Sequence, residues 1–462
     1  MGKPRPSLRT LRAKEKLREN PGILFEDVLS EAEIDEHCRV LGYTWRERIF
    51  TPLVTLWTFL AQVLSGDGSC RDAVARVLGF LSDTKGLTVS HDPSSYCEAR
   101  KRLPMGLLPN LTRLVAGKLG AKVTDELLWH GRRVRLVDGS SVQMPDTPEN
   151  QAEFPQPSSQ APGCGFPVAR IAALFDLATG ALLGLALGAL SKCETTLFRE
   201  IWSVFRLGDV VVGDRFFCDY ADIVLLKQRG VDSLFRLHVR RKKVDWRDGL
   251  RLGRNDRLVV WDKGGHPDWL SPEQFAALPD QLTLRLVGFR CEVPGWRTRE
   301  IIVATTLTDE TAYSSADLAE LYARRWDVET DFGHLKTTMK MDLLRTRTPD
   351  MIRREIWAYL LAYNLIRTLM WDAADRRRLQ PLRLSFKGTI QEMRALWPIS
   401  FAQSGKDLTA FYEALLRAIS FHKVPLRPGR AEPRLRKRRP KNYPLMGASR
   451  QECRRSLGLE HA

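Results

Sequence analysis

Apolar positions change their period several times along the chain, and each change marks a predicted element. Residues 51–64 are almost unbroken hydrophobic sequence ending at Ser65-Gly-Asp-Gly68, which fits a buried helix with a sharp stop. Residues 69–81 and 95–102 read as further helices, and Pro104 and Pro109 punctuate the next one. The first 122 residues are therefore mostly helical. Near Leu127 the pattern turns to alternation, and Val134, Leu136 and Asp138 fall on one face of a strand over 134–144. A Pro-, Gln- and Ser-rich loop is predicted over 151–165, then a strand pair over 168–190 with Leu177-Ala-Thr-Gly180 as its turn. A helix over 194–205, a short apolar strand over 209–214, a helix over 220–228 and a strand over 233–238 follow. From about 240 to 312 helical period gives way to alternation, Gly and Trp, with strands at 258–261, 282–289 and 300–305. Helical period returns over 315–338 and, after a break at Pro349, over 351–374.

Strands alternating with helices describe an α/β chain, and 462 residues are enough for two or three domains. Charge then narrows the partners. Lys and Arg number 72 against 55 Asp and Glu, giving +17 and a pI near 9.7. Such an excess favours a polyanion, nucleic acid ahead of membrane. The eight cysteines include no C-x2-C pair, which argues against a zinc ribbon and for a reduced, cytoplasmic protein. No secretory leader is expected at the basic, Pro-bearing start. The long apolar run 171–190 is interrupted by Asp176 and reads as a buried hairpin, not a membrane span.

Within the helix over 315–338, Tyr322, Arg325, Glu329 and Lys336 are spaced Y-x2-R-x3-E-x6-K. At about 100° per residue they project at roughly 0°, −60°, −20° and −40°, one stripe about 60° wide. A carboxylate among two cations and a tyrosine suits a metal ligand beside phosphate-binding groups; a solvated charged face is the plain alternative. Two strand aspartates shift that balance. Asp138 continues an apolar strand face, although Asp138-Gly139 is also a hairpin-turn dipeptide. Asp214 ends the run Val-Val-Val-Gly, where ligand sites of α/β sheets lie, although it could simply cap the next helix. No phosphate-binding P-loop, H-E-x-x-H or dinucleotide fingerprint is present.

These residues resemble the bacterial insertion-sequence transposases of the IS-four family, with their DDE triad and Y-R-E-K signature. Asp138, Asp214 and Glu329 match the triad, and Tyr322, Arg325, Glu329 and Lys336 the signature. Val137-Asp138-Gly139-Ser140, Gly213-Asp214-Arg215-Phe216 and Asp342-Leu-Leu-Arg-Thr-Arg347 match in context, and the likeness runs from about Tyr43 to Tyr443. The resemblance implies an RNase H-like catalytic core interrupted by a mostly β insertion, behind an N-terminal helical DNA-binding domain. The divisions expected are 1–126 for end recognition, 127–239 and 315–420 for the core, 240–314 for the insertion and 421–462 for a basic, Pro-rich tail.

It also implies a chemistry. Three carboxylates can hold two Mg²⁺ ions, with Mn²⁺ as a substitute, for phosphodiester hydrolysis and transesterification. Asp138 would bridge the ions and Asp214 and Glu329 complete their shells. Tyr322, Arg325 and Lys336 would touch DNA phosphates. Partners would be the terminal inverted repeats, target DNA and a second copy in a synaptic dimer, with no membrane. A hairpin DNA intermediate is inherited from the resemblance alone. Trp296 is the candidate for stacking on a flipped base, with Trp261 and Trp269 as competitors. His334 projects off the stripe and reads as a surface residue. The tail over 423–455 reads as non-helical because of its prolines, serving either phosphate contact or solubility. Rival readings are an RNase H-like nuclease or resolvase without strand transfer, and a transposase-derived regulator without catalysis.

Overall fold

The computed structural model describes residues 28–46, 48–81, 90–238, 244–290, 300–400, 406–425 and 446–458. Its centre is one nine-stranded sheet in the order β3-β2-β1-β4-β5-β9-β8-β7-β6. The strands are β1 Val134–Gln143, β2 Val168–Asp176, β3 Leu182–Ala189, β4 Val210–Gly213, β5 Asp232–Arg236, β6 Leu250–Gly253, β7 Asp256–Asp262, β8 Gln281–Arg290 and β9 Glu300–Thr305. The first five form an RNase H-like mixed sheet. β2 and β3 are antiparallel additions to β1, whereas β4 and β5 run parallel to it through helical crossovers. Arg135 fixes the start of β1 by bridging Asp176 at 2.7 Å and Asp209 at 3.0 Å, all buried. The apolar run 171–190 is the β2–β3 pair, and no described helix is long and apolar enough to cross a membrane.

The alternating region after residue 240 does not form a separate sheet. β9 pairs antiparallel with β5, so the later strands prolong the core sheet. Alternation reports a half-buried strand but not which strand it will join, and β5 would otherwise expose a row of unpaired backbone groups.

Alternate residues of the central strands feed two cores. Leu136, Val212 and Leu234 face one with the helices Pro52–Leu64, Leu107–Ala121 and Pro349–Asp375. Val137, Val211 and Phe235 face another with Glu194–Glu200 and Tyr220–Gln228. The N-terminal helices are thus part of the first core. Buried Asn364 ties three elements there: its amide nitrogen donates to the carbonyls of Thr112 at 3.2 Å and Leu182 at 2.9 Å, and its oxygen accepts from the Leu182 N–H.

Three local expectations differ from what is observed. Pro349 is the first residue of the long helix, not a break, because the first turn needs no N–H from it. The 194–205 helix stops at Glu200 and continues as a 3₁₀ turn, Trp202–Val204. Arg450–Ser456, beyond the last proline, is helical and opens at a Ser449–Glu452 capping box. Residues 426–445 of the tail lie outside the described residues, as does Trp296.

Candidate active site at the ends of β1 and β4

β1 and β4 are neighbours in parallel, with Leu136 level with Val212. Two residues on, Asp138 and Asp214 continue the same face of their strands, Asp214 just past the end of β4. β1 runs straight through Asp138-Gly139, so that dipeptide makes no turn. Asp214 does cap: its Oδ1 accepts the Phe216 N–H at 2.8 Å, which starts the 3₁₀ turn Arg215–Phe217. Capping and membership of the site are compatible, since the second oxygen is left over.

The signature segment packs on this face in four pieces. An α-helix, Ser315–Ala323, begins at a Ser314–Asp317 capping box; a 3₁₀ turn, Arg324–Trp326, an α-helix, Asp327–Gly333, and a π turn, His334–Thr338, follow. Its opposite side is clamped to the long helix. Arg367 pairs with Asp331, and the Tyr363 hydroxyl donates to Asp331 Oδ1 at 3.0 Å. His334 stacks on Phe386 with centroids 4.5 Å apart, so it is half-buried packing and not a surface residue.

Arg325 is the hub of the site. One guanidinium nitrogen lies 3.9 Å from Asp138 Oδ2 and the other 3.4 Å from Glu329 Oε1. The guanidinium covers the Trp326 ring at 4.3 Å, and its buried Nε has no hydrogen-bond partner among the described residues. Glu329 is 49% exposed. Lys336 Nζ donates to Ser140 Oγ at 3.0 Å, two residues beyond Asp138 on β1. Tyr322 requires a correction: only 1% exposed, it packs edge-on against Phe289 and Trp326 and cannot reach a phosphate from there. Burial pushes its hydroxyl up to about 12. Wheel angles placed it on the stripe, but they carry no knowledge of Phe289 arriving from β8.

Like charges crowd the site. Burial raises the Asp138 carboxyl to about 6, and Asp214 and Glu194 push the same way, against the Gly139 N–H and Arg325. Asp214 is raised by burial despite the Phe216 N–H and the cations Arg325, Arg215 and Arg236. Glu194 is raised by burial and by Asp214. The sequence reading missed Glu194, because an acid opening a helix is ordinary.

Among the described residues, no three Asp, Glu, His or Cys side chains converge closely enough to hold an ion, and Arg325 stands between Asp138 and Glu329. The donor chemistry nevertheless fits a hard divalent cation. The donors are carboxylate oxygens, and two of them are held above their usual range by burial, Asp138 by the charge of Asp214 as well, a cost that a cation relieves. Of the competitors for base stacking, Trp261 is core, whereas Trp269 is exposed with Arg199 over its ring at 3.7 Å.

Residues 129–365 match the family described as a transposase DDE domain. "Transposase InsG for insertion sequence element IS4" of Escherichia coli (strain K12) is 26% identical over 409 residues, covering 87% of this chain and 88% of that protein. "Transposase for insertion sequence element IS231F" of Bacillus thuringiensis subsp. israelensis is 20% identical over 378 residues, 73% of this chain and 77% of that one. Among solved structures, a piggyBac transposase synaptic complex with hairpin DNA aligns over 87% of this chain and 85% of that one, at 10% identity and a TM-score of 0.45.

Proposed function

The chain belongs to the IS4-type DDE transposases, and on that footing we propose that it cuts the ends of its own insertion sequence and joins them to target DNA through Asp138, Asp214 and Glu329. The observation that carries this reading is that parallel β1 and β4 bring Asp138 and Asp214 to one end of the sheet, beneath the segment bearing Glu329 and Arg325. Two Mg²⁺ ions, or Mn²⁺, held by these carboxylates would supply the positive charge needed for phosphodiester hydrolysis and transesterification.

The chain's own groups then have distinct work. Asp138, Asp214 and Glu329 would hold the ions, which would supply the charge that activates the attacking oxygen and steadies the leaving one. Arg325 presents its terminal guanidinium nitrogens beside Asp138 and Glu329, where they would grip a phosphate. Lys336 adds a point charge further along β1. Asp331, Arg367 and Tyr363 keep the signature segment seated, and Tyr322 supports Arg325 from within the core. The freed 3′ ends attack the opposite strand, leaving hairpin ends that are reopened before joining. Two ends must be joined, so the working unit is a dimer on DNA.

The experiment is cleavage of DNA carrying the element's ends, with and without Mg²⁺. Asp138→Ala, Asp214→Ala and Glu329→Ala should each abolish cutting and keep end binding; a variant that cuts at near wild-type rate refutes its assignment. Hairpins on denaturing gels test the intermediate. Mixing a cleavage-dead with a binding-dead protein tests the dimer. Cutting without any strand-transfer product would make the protein a nuclease.

A further inference from the structure

We propose that the protein seats a small polyphosphate ligand in an arginine-lined cavity at the start of β1. The site is separate from Asp138, Asp214 and Glu329.

The cavity measures about 550 Å³ and lies between the helix Leu107–Ala121, the first residues of β1 and the chain over 203–206. A cleft of this size takes a nucleotide-sized molecule. Four arginines line it, Arg113, Arg133, Arg135 and Arg206, against one acid, Asp176. Their pairing shows which charges are spent. Arg135 donates to both oxygens of Asp209, at 3.0 and 3.1 Å, and to Asp176 at 2.7 Å. Asp176 also accepts from the Thr179 hydroxyl at 2.8 Å, and Arg133 stands 4.0 Å from it. Two arginines and two aspartates therefore cancel on the floor. Arg113 and Arg206 remain on the walls. Among the described residues, Arg113 reaches the amide oxygen of Asn110 at 3.3 Å, and no acid pairs with the Arg206 guanidinium. The Arg206 backbone N–H donates to Asp209 at 2.9 Å, which fixes that wall to the floor. Unspent cations facing one cleft favour an anion of several charges.

The helical wall is cut back to admit it. Arg113, Ala116, Gly117, Gly120 and Ala121 form the stripe that lines the cavity, while Leu111, Val115 and Leu119 are buried behind it. A Cβ at 117 would meet nothing within 4 Å, and one at 120 would stand 3.7 Å from the Arg133 guanidinium. Glycine inside a helix is unfavourable; here it keeps the arginines within reach. The side chains of Arg133 and Arg135 are 27% and 6% exposed. A narrow ligand can come down to them, whereas the backbone of a duplex would meet only the rims. Phe205 and Leu183 complete the lining and offer apolar surface to a base. Arg135 precedes Asp138 by three residues, about 10 Å along the strand, so this seat does not overlap the carboxylates.

The test is isothermal titration calorimetry of the full-length protein in EDTA, without DNA, with inorganic triphosphate and ATP as probes. Wild type should bind both. A preference for ATP names a nucleotide as the source, a preference for triphosphate names free polyphosphate, and either upholds the seat. Arg113→Gln and Arg206→Gln should each weaken binding by about ten-fold or more, as loss of a charge-assisted hydrogen bond does. Gly117→Met fills the cleft and should abolish binding with circular dichroism unchanged, since methionine suits a helix better than glycine. Lys336→Ala, in the candidate active site, should bind as wild type. No binding of either probe by wild type overturns the inference, as does binding that survives all three cavity variants. Binding lost in Lys336→Ala overturns it by placing the anion at the active site. Cavity variants that lose affinity for duplex DNA while keeping triphosphate overturn it in favour of a DNA surface.

Discussion

Removing the charge of Asp138 should stabilise the metal-free protein while destroying its activity. The carboxyl is 20% exposed and is raised from 3.8 to about 6, first by burial and then by Asp214 and Glu194. The folded state therefore holds this proton more tightly than the unfolded chain. Wild-type stability should be greatest below pH 3.8 and fall as pH rises through about 6. At about 1.4 kcal/mol per unit, the loss amounts to about 3 kcal/mol above pH 6. Asp138→Asn keeps an oxygen for the Gly139 N–H and has no such slope. In EDTA the variant should match wild type near pH 3, exceed it by about 0.5 kcal/mol at pH 4, by about 1.6 kcal/mol at pH 5 and by about 3 kcal/mol at pH 7. For 462 residues unfolding with about 2.1 cal/mol/K each, that is a rise in Tm of about 3 °C. The assay is thermal denaturation across this pH range, repeated with Mg²⁺, which should raise the Tm of wild type only. A variant that is less stable than wild type at pH 7 in EDTA, or a difference independent of pH, would refute the claim that the site strains against its own charge.

Arg325→Lys keeps the charge but not the fork that spans Asp138 and Glu329, and should slow cleavage on the order of 10²-fold with end binding little changed, measured in single-turnover assays. Lys336→Ala should lower the salt slope of binding to pre-cleaved ends by about 1, read from affinities at several ionic strengths. An unchanged slope would remove Lys336 from the phosphate-binding set. Arg367→Met leaves the Asp331 charge buried without its cation and should cost about 3–5 kcal/mol in denaturant unfolding, whereas adding Asp331→Asn should recover part of it.

What could be read in the sequence was whatever depends on local period. Asp138 and Asp214 were visible because each continues an apolar strand, and the spacing of Arg325, Glu329 and Lys336 was visible because a helix repeats. What escaped depends on where distant elements meet. Nothing near Tyr322 announces that Phe289 will bury it. Nothing around 300–305 says that the strand will pair with β5 and lengthen the core sheet. Glu194 is recognisable only once the helix that it opens is laid over β1 at the one position without a side chain. Pro349 was misread because proline ends helices in some contexts and begins them in others.

The packing of the Pro52–Leu64 helix against the Pro349–Asp375 helix has a consequence in time. A ribosome makes the first of these long before the second. At about 5–20 residues per second, the roughly 190 residues between Asp138 and Glu329 alone take about 10–40 s. During that interval the strand aspartates exist without their helical partner, and an apolar helix waits without its cover. A nascent or prematurely ended chain is thus unable to cut, and its exposed helix makes it a client for chaperones and proteases. The three carboxylates can come together only after the long helix has emerged from the ribosome.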